Sequence, residues 1–233
     1  MATTPNKGKR TIRGYDLYSL LKEDIVTLRL APGTVFQELE IAERYGSSRT
    51  PAREAIKQLI ADGFVTTSGR RYVVKAMTLA EVRELYEYRE GLEIMAIRLM
   101  IERATDEEID ELERHMHVFR QQFVTVGPGA RGNVKTFHLE IARLSKNGKI
   151  LAELEIAHEK IAMLMRILRV ESMSAIDEHE RIFSAIKRRQ PEIAEAELRY
   201  HLHPVADWYE KYCAGLSADE LPSATVITLR QPA

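Results

Sequence analysis

The chain has a single cysteine, Cys213, so no disulfide can form within it; the thiol is expected to be structural rather than nucleophilic. No apolar run approaches the roughly 20 residues that a membrane-spanning helix needs. Met1 to Arg10 is polar and lacks the apolar stretch of a secretion signal, so the sequence predicts a cytoplasmic protein with no membrane partner. No internal repeat recurs at a solenoid period. What remains is a chain of 233 residues, 45% hydrophobic and 30% charged, long enough for two ordinary cores. Its net charge of −1 hides an asymmetry: residues 1–77 hold 13 Lys and Arg against 8 Asp and Glu, while the remainder holds 21 against 27. A basic head on an acidic body is expected where only the head meets a polyanion.

The head carries the sharpest local pattern. In Ser47-Ser48-Arg49-Thr50-Pro51-Ala52-Arg53-Glu54-Ala55-Ile56, Ser48 or Thr50 can cap a helix and Pro51 suits its first turn. Ala52, Ala55, Ile56, Leu59 and Ile60 recur at helical spacing, which leaves Arg49, Arg53 and Lys57 on another face. Upstream, Leu17, Leu20, Leu21, Ile25 and Leu28 form one amphipathic helix ended by Ala31-Pro32-Gly33. A short second helix from about Leu39 to Tyr45 is expected to bury Leu39, Ala42 and Tyr45 and to stop at Gly46. Downstream, Gly63 closes the third helix, and Phe64-Val65-Thr66 and Tyr72-Val73-Val74 read as strands around Ser68-Gly69-Arg70-Arg71. Helix-turn-helix followed by a basic hairpin is a winged helix, a DNA-binding arrangement.

These residues resemble the GntR family of bacterial transcription regulators, whose recognition helix opens with the same Ser-Arg-Thr-Pro-x-Arg-Glu-Ala run; the resemblance covers roughly residues 15–77. It implies that Arg49, Thr50 and Arg53 contact operator DNA, with Ser48 as a phosphate contact and Gly69 entering the minor groove beside Arg70. One departure is Leu28, where the family usually has glycine before the Pro-Gly turn.

From Thr78 the pattern is almost wholly helical. Helices are expected over about 79–102, from the capping box Thr105-Asp106-Glu107-Glu108 onward, and over about 133–145, 149–169, 173–189 and 191–212, with a Gly-rich loop at 126–132. The fold class is therefore mainly α: an N-terminal winged helix-turn-helix with a small β-hairpin, followed by an all-α antiparallel bundle of about six helices. The divisions are a flexible basic arm (1–12), a DNA-binding domain (13–77), a helical effector-binding and dimerisation domain (78–214) and a loose tail (215–233).

The helical half resembles the FCD ligand-binding domain of the FadR subfamily at Phe137-His138-x-x-Ile141-Ala142-x-x-Ser145-x-Asn147, at Glu178-His179-x-x-Ile182-x-x-Ala185-Ile186, and at His201-Leu202 after Ala194-x-x-x-Leu198. The resemblance implies a divalent metal at the bottom of an effector pocket, held by three histidines, here His138, His179 and His201, and by an aspartate four residues before the first of them. Val134 stands at that fourth position, which leaves a reduced three-imidazole site suited to zinc or nickel. Neither Asn133 nor Glu140 is aimed at His138 by helical spacing. Arg89 occupies a position where the family often clamps a carboxylate effector, the structural alternative being an ion pair with Glu93 at i+4. His115, His117, His158 and His203 match no motif and are assigned surface or helix-face roles, and Met95, Met163 and Met165 core packing.

The sequence thus predicts a ligand-responsive transcription regulator, a repressor, that binds a palindromic operator as a homodimer and is modulated by a small carboxylate. The alternatives are a metal-dependent enzyme on a helical His bundle, which would lack a general base or nucleophile, and an effector-free DNA-binding dimer.

Overall fold

The computed structural model describes residues 14–126, 134–168 and 174–215. The expected basic arm, most of the Gly-rich loop and the tail beyond Gly215 lie outside the described residues. Two compact units divide between Ala76 and Met77.

The first unit comprises α1 (Gly14–Val26), β1 (Val35–Phe36), α2 (Glu38–Arg44), α3 (Arg49–Ala61), β2 (Val65–Ser68) and β3 (Arg71–Val74). Leu17, Leu21 and Ile25 recur every fourth residue along α1 and are fully buried in the packing of α1 on α3, whose Ala52, Ala55, Ile56 and Leu59 form the other side of the core. Two expectations fail here. Leu20 (40% exposed) and Leu39 (42% exposed) face outward. Helix α2 is only 7 residues long and turns the adjacent pair Ile41 and Ala42 inward, so Leu39 is carried off the buried face.

Polar contacts fix the exits of α1 and α2. Buried Asp24 accepts from Arg29 Nε at 2.5 Å, from Tyr45 Oη at 2.6 Å and from Arg44 Nη2 at 3.2 Å. Burial alone would raise its carboxyl, but these three donors outweigh it and hold the group below its ordinary value. Leu28, at φ +63°, takes the left-handed conformation that glycine adopts without strain.

The wing is a three-stranded antiparallel sheet in the order β1-β3-β2. β2 and β3 run from Val65 opposite Val74 to Ser68 opposite Arg71, leaving Gly69 and Arg70 as a two-residue loop; Gly69 has φ +60°, as its first position requires. The third strand, β1, had no sequence signal. Its two residues pair Val35 with Val73 and Phe36 with Tyr72, tying the hairpin back to the segment before α2.

The second unit contains α4 (Leu79–Arg103), α5 (Asp106–Val126), α6 (Val134–Leu144), α7 (Gly148–Leu168), α8 (Ser174–Lys187), α9 (Pro191–Leu202) and α10 (Pro204–Ala214). The single helix expected over 191–212 is two, because Pro204 lacks the N–H that would bond back into α9 and instead opens α10 at its first position. Capping boxes start α4, with Thr78 and Glu81, and α5, with Thr105 and Glu108.

Helix α4 is the centre of the bundle and packs against α6, α7, α9 and α10. Cations meet its carbonyl end, where Arg189 donates to Ile101 O and Ala104 O and Lys146 donates to Arg103 O, each complementing the helix dipole. No helix among the described residues is long and apolar enough to cross a membrane.

Candidate functional site

In the first unit, Ser48 is the N-cap of α3 and Arg49 its first residue. Ser48, Arg49, Thr50 and Arg53 are exposed, as are Gly69 and Arg70 at the wing tip. The Ser48 hydroxyl makes no capping bond, contrary to the expected role, so it is not tied to the helix start. Arg53 is held: Glu38, at the start of α2, takes its Nε and Nη2 protons at 3.0 Å each and accepts Tyr72 Oη from β3 at 3.0 Å. The Arg53 hydrogen bonds keep the Glu38 carboxyl below its ordinary value against a smaller opposing effect of burial.

In the second unit, five helices converge on one polar network: α4 supplies Arg89 and Glu93, α6 His138, α7 His158, α8 His179 and α9 His201. Arg89 lies 4% exposed and Glu93 3% exposed. The Arg89 Nε donates to Glu93 Oε1 at 2.6 Å, the i+4 pairing that was the structural alternative for this arginine. Glu93 Oε2 lies 2.8 Å from His138 Nδ1, and Glu93 Oε1 lies 2.9 Å from His158 Nε2. Burial opposes ionisation of Glu93, yet Arg89 and the two imidazoles overcome it and hold the carboxyl well below its ordinary value.

An ionised Glu93 only accepts. The Nδ1 proton of His138 therefore points to Glu93, and the Nε2 of His138 carries a lone pair. His201 Nδ1 likewise lies 2.7 Å from Glu178 Oε2, which turns the His201 Nε2 inward. Both free nitrogens meet His179 Nε2, at 3.1 Å from His138 and 3.2 Å from His201. The His179 Nε2 can carry one proton and satisfy one neighbour, so with all three rings neutral one contact sets lone pair against lone pair. Burial favours the neutral state, lowering His138 to about 3 and His179 well below its ordinary value. Phe137 stacks on His179 with ring centroids 4.6 Å apart and walls one side of the cluster.

One cation at the point of convergence would satisfy all three nitrogens. The donor set fits such a group: three imidazole nitrogens from three helices, all within 4.8 Å of one another, are ligands that suit zinc or nickel. Glu93, His138 and His158 also lie within ligating range of one another. That set is better described as hydrogen bonds, because the Arg89 guanidinium already sits on Glu93.

The structure thus brings together Arg89, His138, His179 and His201. His158, assigned from sequence to a helix face, is instead buried in the same network. It has no motif around it, and the signal available was weak: it sits on the same buried face of α7 as Leu154, Ala157 and Ile161. Glu93 was named only as a partner for Arg89, and Glu178 only within a motif.

Comparisons with known proteins agree with both units. Residues 15–82 match the bacterial regulatory proteins of the gntR family, and residues 84–204 match the FCD domain. The HTH-type transcriptional repressor RspR of Escherichia coli K12 is 27% identical over 203 residues, spanning 82% of this chain and 86% of that protein. The Nta operon transcriptional regulator of Aminobacter aminovorans is 28% identical over 179 residues, spanning 76% and 85%. Among solved structures, E. coli McbR/YncC superposes with a TM-score of 0.72 at 20% identity, covering 85% of this chain and 98% of that one, a likeness of fold.

Proposed function

We infer that this chain, which belongs to the GntR family of bacterial regulatory proteins and carries an FCD domain as its second unit, acts as a homodimeric repressor. Its operator is twofold-symmetric, and a small carboxylate releases it. The protein is a transcription regulator rather than an enzyme, in keeping with its relatives. Cys213 agrees: burial raises its thiol, the reverse of an activated nucleophile.

In this reading α3 enters the major groove with Arg49 and Arg53, Ser48 and Thr50 contact the phosphate backbone, and Gly69 and Arg70 approach the minor groove. Support for the dimer comes from an apolar stripe on α4, where Tyr88 (46% exposed) and Met95 (47% exposed) alternate with half-buried Leu92 and Leu99. In the helical unit, His138, His179 and His201 would hold a divalent ion such as zinc or nickel and leave coordination positions for an effector carboxylate. The same carboxylate takes the Nη edge of Arg89. Effector binding changes the spacing of the two recognition helices in the dimer and so their fit to DNA.

The convergence of three imidazole Nε2 atoms, with Glu93 on the second nitrogen of His138 and Glu178 on that of His201, carries the ligand-binding part of this reading. The test is a thermal-shift screen of hydroxy acids, sugar acids and amino-acid-derived acids on the protein loaded with zinc or nickel and on the chelated protein. Metal-dependent stabilisation by a carboxylate, lost in His179→Ala, is the expected result. Stabilisation by no metal and no acid would leave the helical unit as a dimerisation module alone.

A further inference from the structure

Glu38 stands where three parts of the DNA-binding unit meet. It opens α2, it grips Arg53 of α3 through Nε and Nη2, and it is itself gripped by Tyr72 of β3. The Arg53 side chain is 56% exposed while that of Glu38 is 22% exposed, so the anchor is the better covered of the two.

A guanidinium has two bidentate edges. Glu38 occupies the side edge, which leaves the Nη1–Nη2 end edge, the fork that matches O6 and N7 of guanine in the major groove. An arginine on a flexible stem can instead swing to the nearest phosphate, which carries no sequence information. Two things that Glu38 does work against that. Its carboxylate removes the rotamer freedom of Arg53 before DNA arrives, and its charge cancels the one that phosphates would attract.

We propose that Glu38 is a specificity-determining residue of this regulator: it presents Arg53 end-on for base readout and denies its charge to the DNA backbone, with Tyr72 keeping the carboxylate in place. The inference rests on the reading that Arg53 faces DNA. Glu38 touches Arg53 rather than a base, so its role is positioning.

The experiment uses the full chain as wild type, Glu38→Gln, Tyr72→Phe and Arg53→Ala. A duplex is first selected by the wild type from a random-sequence pool. Fluorescence anisotropy then measures binding of each variant to that duplex, to its single-base-pair replacements and to unselected DNA over a range of salt. Glu38→Gln is expected to lose about tenfold of the discrimination at the guanine that Arg53 reads. It should bind unselected DNA more tightly, with a salt dependence steeper by about one phosphate contact. Tyr72→Phe should move the same way by less.

Unchanged discrimination with a uniform gain on every duplex would overturn the proposal, since Glu38 would then be only an electrostatic competitor. A uniform loss accompanied by a lower melting temperature would overturn it too, as a structural role. Arg53→Ala separates the two levels of inference. If it erases discrimination while Glu38→Gln does not, only the role of Glu38 falls; if it leaves discrimination intact, the reading of Arg53 falls and this proposal with it.

Discussion

Glu93→Gln preserves side-chain volume while removing the anion that Arg89, His138 and His158 share. Glutamine offers one acceptor oxygen and turns an amide N–H toward at least one of three donors. Because Arg89 and Glu93 are both almost fully buried, solvent cannot take over the lost contacts. Breaking a buried ion pair on one side costs about 3–5 kcal/mol. At about 2–4 °C per kcal/mol for a chain of this size, the melting temperature should fall by on the order of 10 °C. Urea unfolding followed by circular dichroism, on chelated protein so that metal linkage does not enter, measures this. Adding Arg89→Met should recover part of the loss, because the stranded cation goes with its partner, giving a coupling of about 0.5–3 kcal/mol in the double-mutant cycle. A Glu93→Gln protein within about 1 kcal/mol of wild type, the cost of an ordinary substitution, would show that the network is wet and its charges independent.

Four further outcomes follow from the geometry. Val134→Asp, one helical turn before His138 on α6, should restore a fourth ligand and raise zinc or nickel retained after mild chelation, while His179→Ala abolishes it; elemental analysis decides, and equal metal in all three proteins would refute the site. Leu28→Gly should stabilise the protein by about 0.5 kcal/mol, since relief of the left-handed conformation outweighs the flexibility glycine adds to the unfolded chain; a lower urea midpoint would mean that Leu28 packing matters more. Gly69→Glu has open space around it but φ +60° and a repelled charge, so operator affinity should drop while the melting temperature moves little; full binding in a gel shift would turn the wing away from DNA. The folded-state carboxyl of Asp24 lies below its ordinary value of 3.8, so its contribution is complete above that pH and fades as pH falls below it; an Asp24→Asn protein whose stability declines in parallel with wild type through that range would refute the assignment.

The sequence made the head legible because its signals are local. Ser48 to Ile56 set helix start and apolar face within ten residues, although the Ser48 side chain makes no capping bond, and the hairpin needs only Gly69 between two β-branched runs. Strand β1 was invisible because two residues have no periodicity; Val35 and Phe36 become a strand only when β3 lies beside them. Leu39 went wrong for a related reason, since in a helix of two turns the buried face is chosen by neighbours rather than by pattern. In the helical unit, the resemblance to the FCD domain singled out His138, His179 and His201, which packing brings together. What it could not supply was the role of Glu93, because His138 and His158 lie 45 and 65 residues from it and meet it only through packing.

The short β1 ladder changes how the head meets a duplex. With Phe36 paired to Tyr72, and Tyr72 hydrogen-bonded to Glu38, which in turn holds Arg53, wing and recognition helix are linked like the jaws of a calliper. A rigid calliper does not stretch to fit a groove; the groove must open or narrow to fit it. The elastic cost then falls on base steps lying between the jaws, where stiff and pliable sequences differ. Some of the operator's information is therefore expected at base pairs that no side chain of this protein touches.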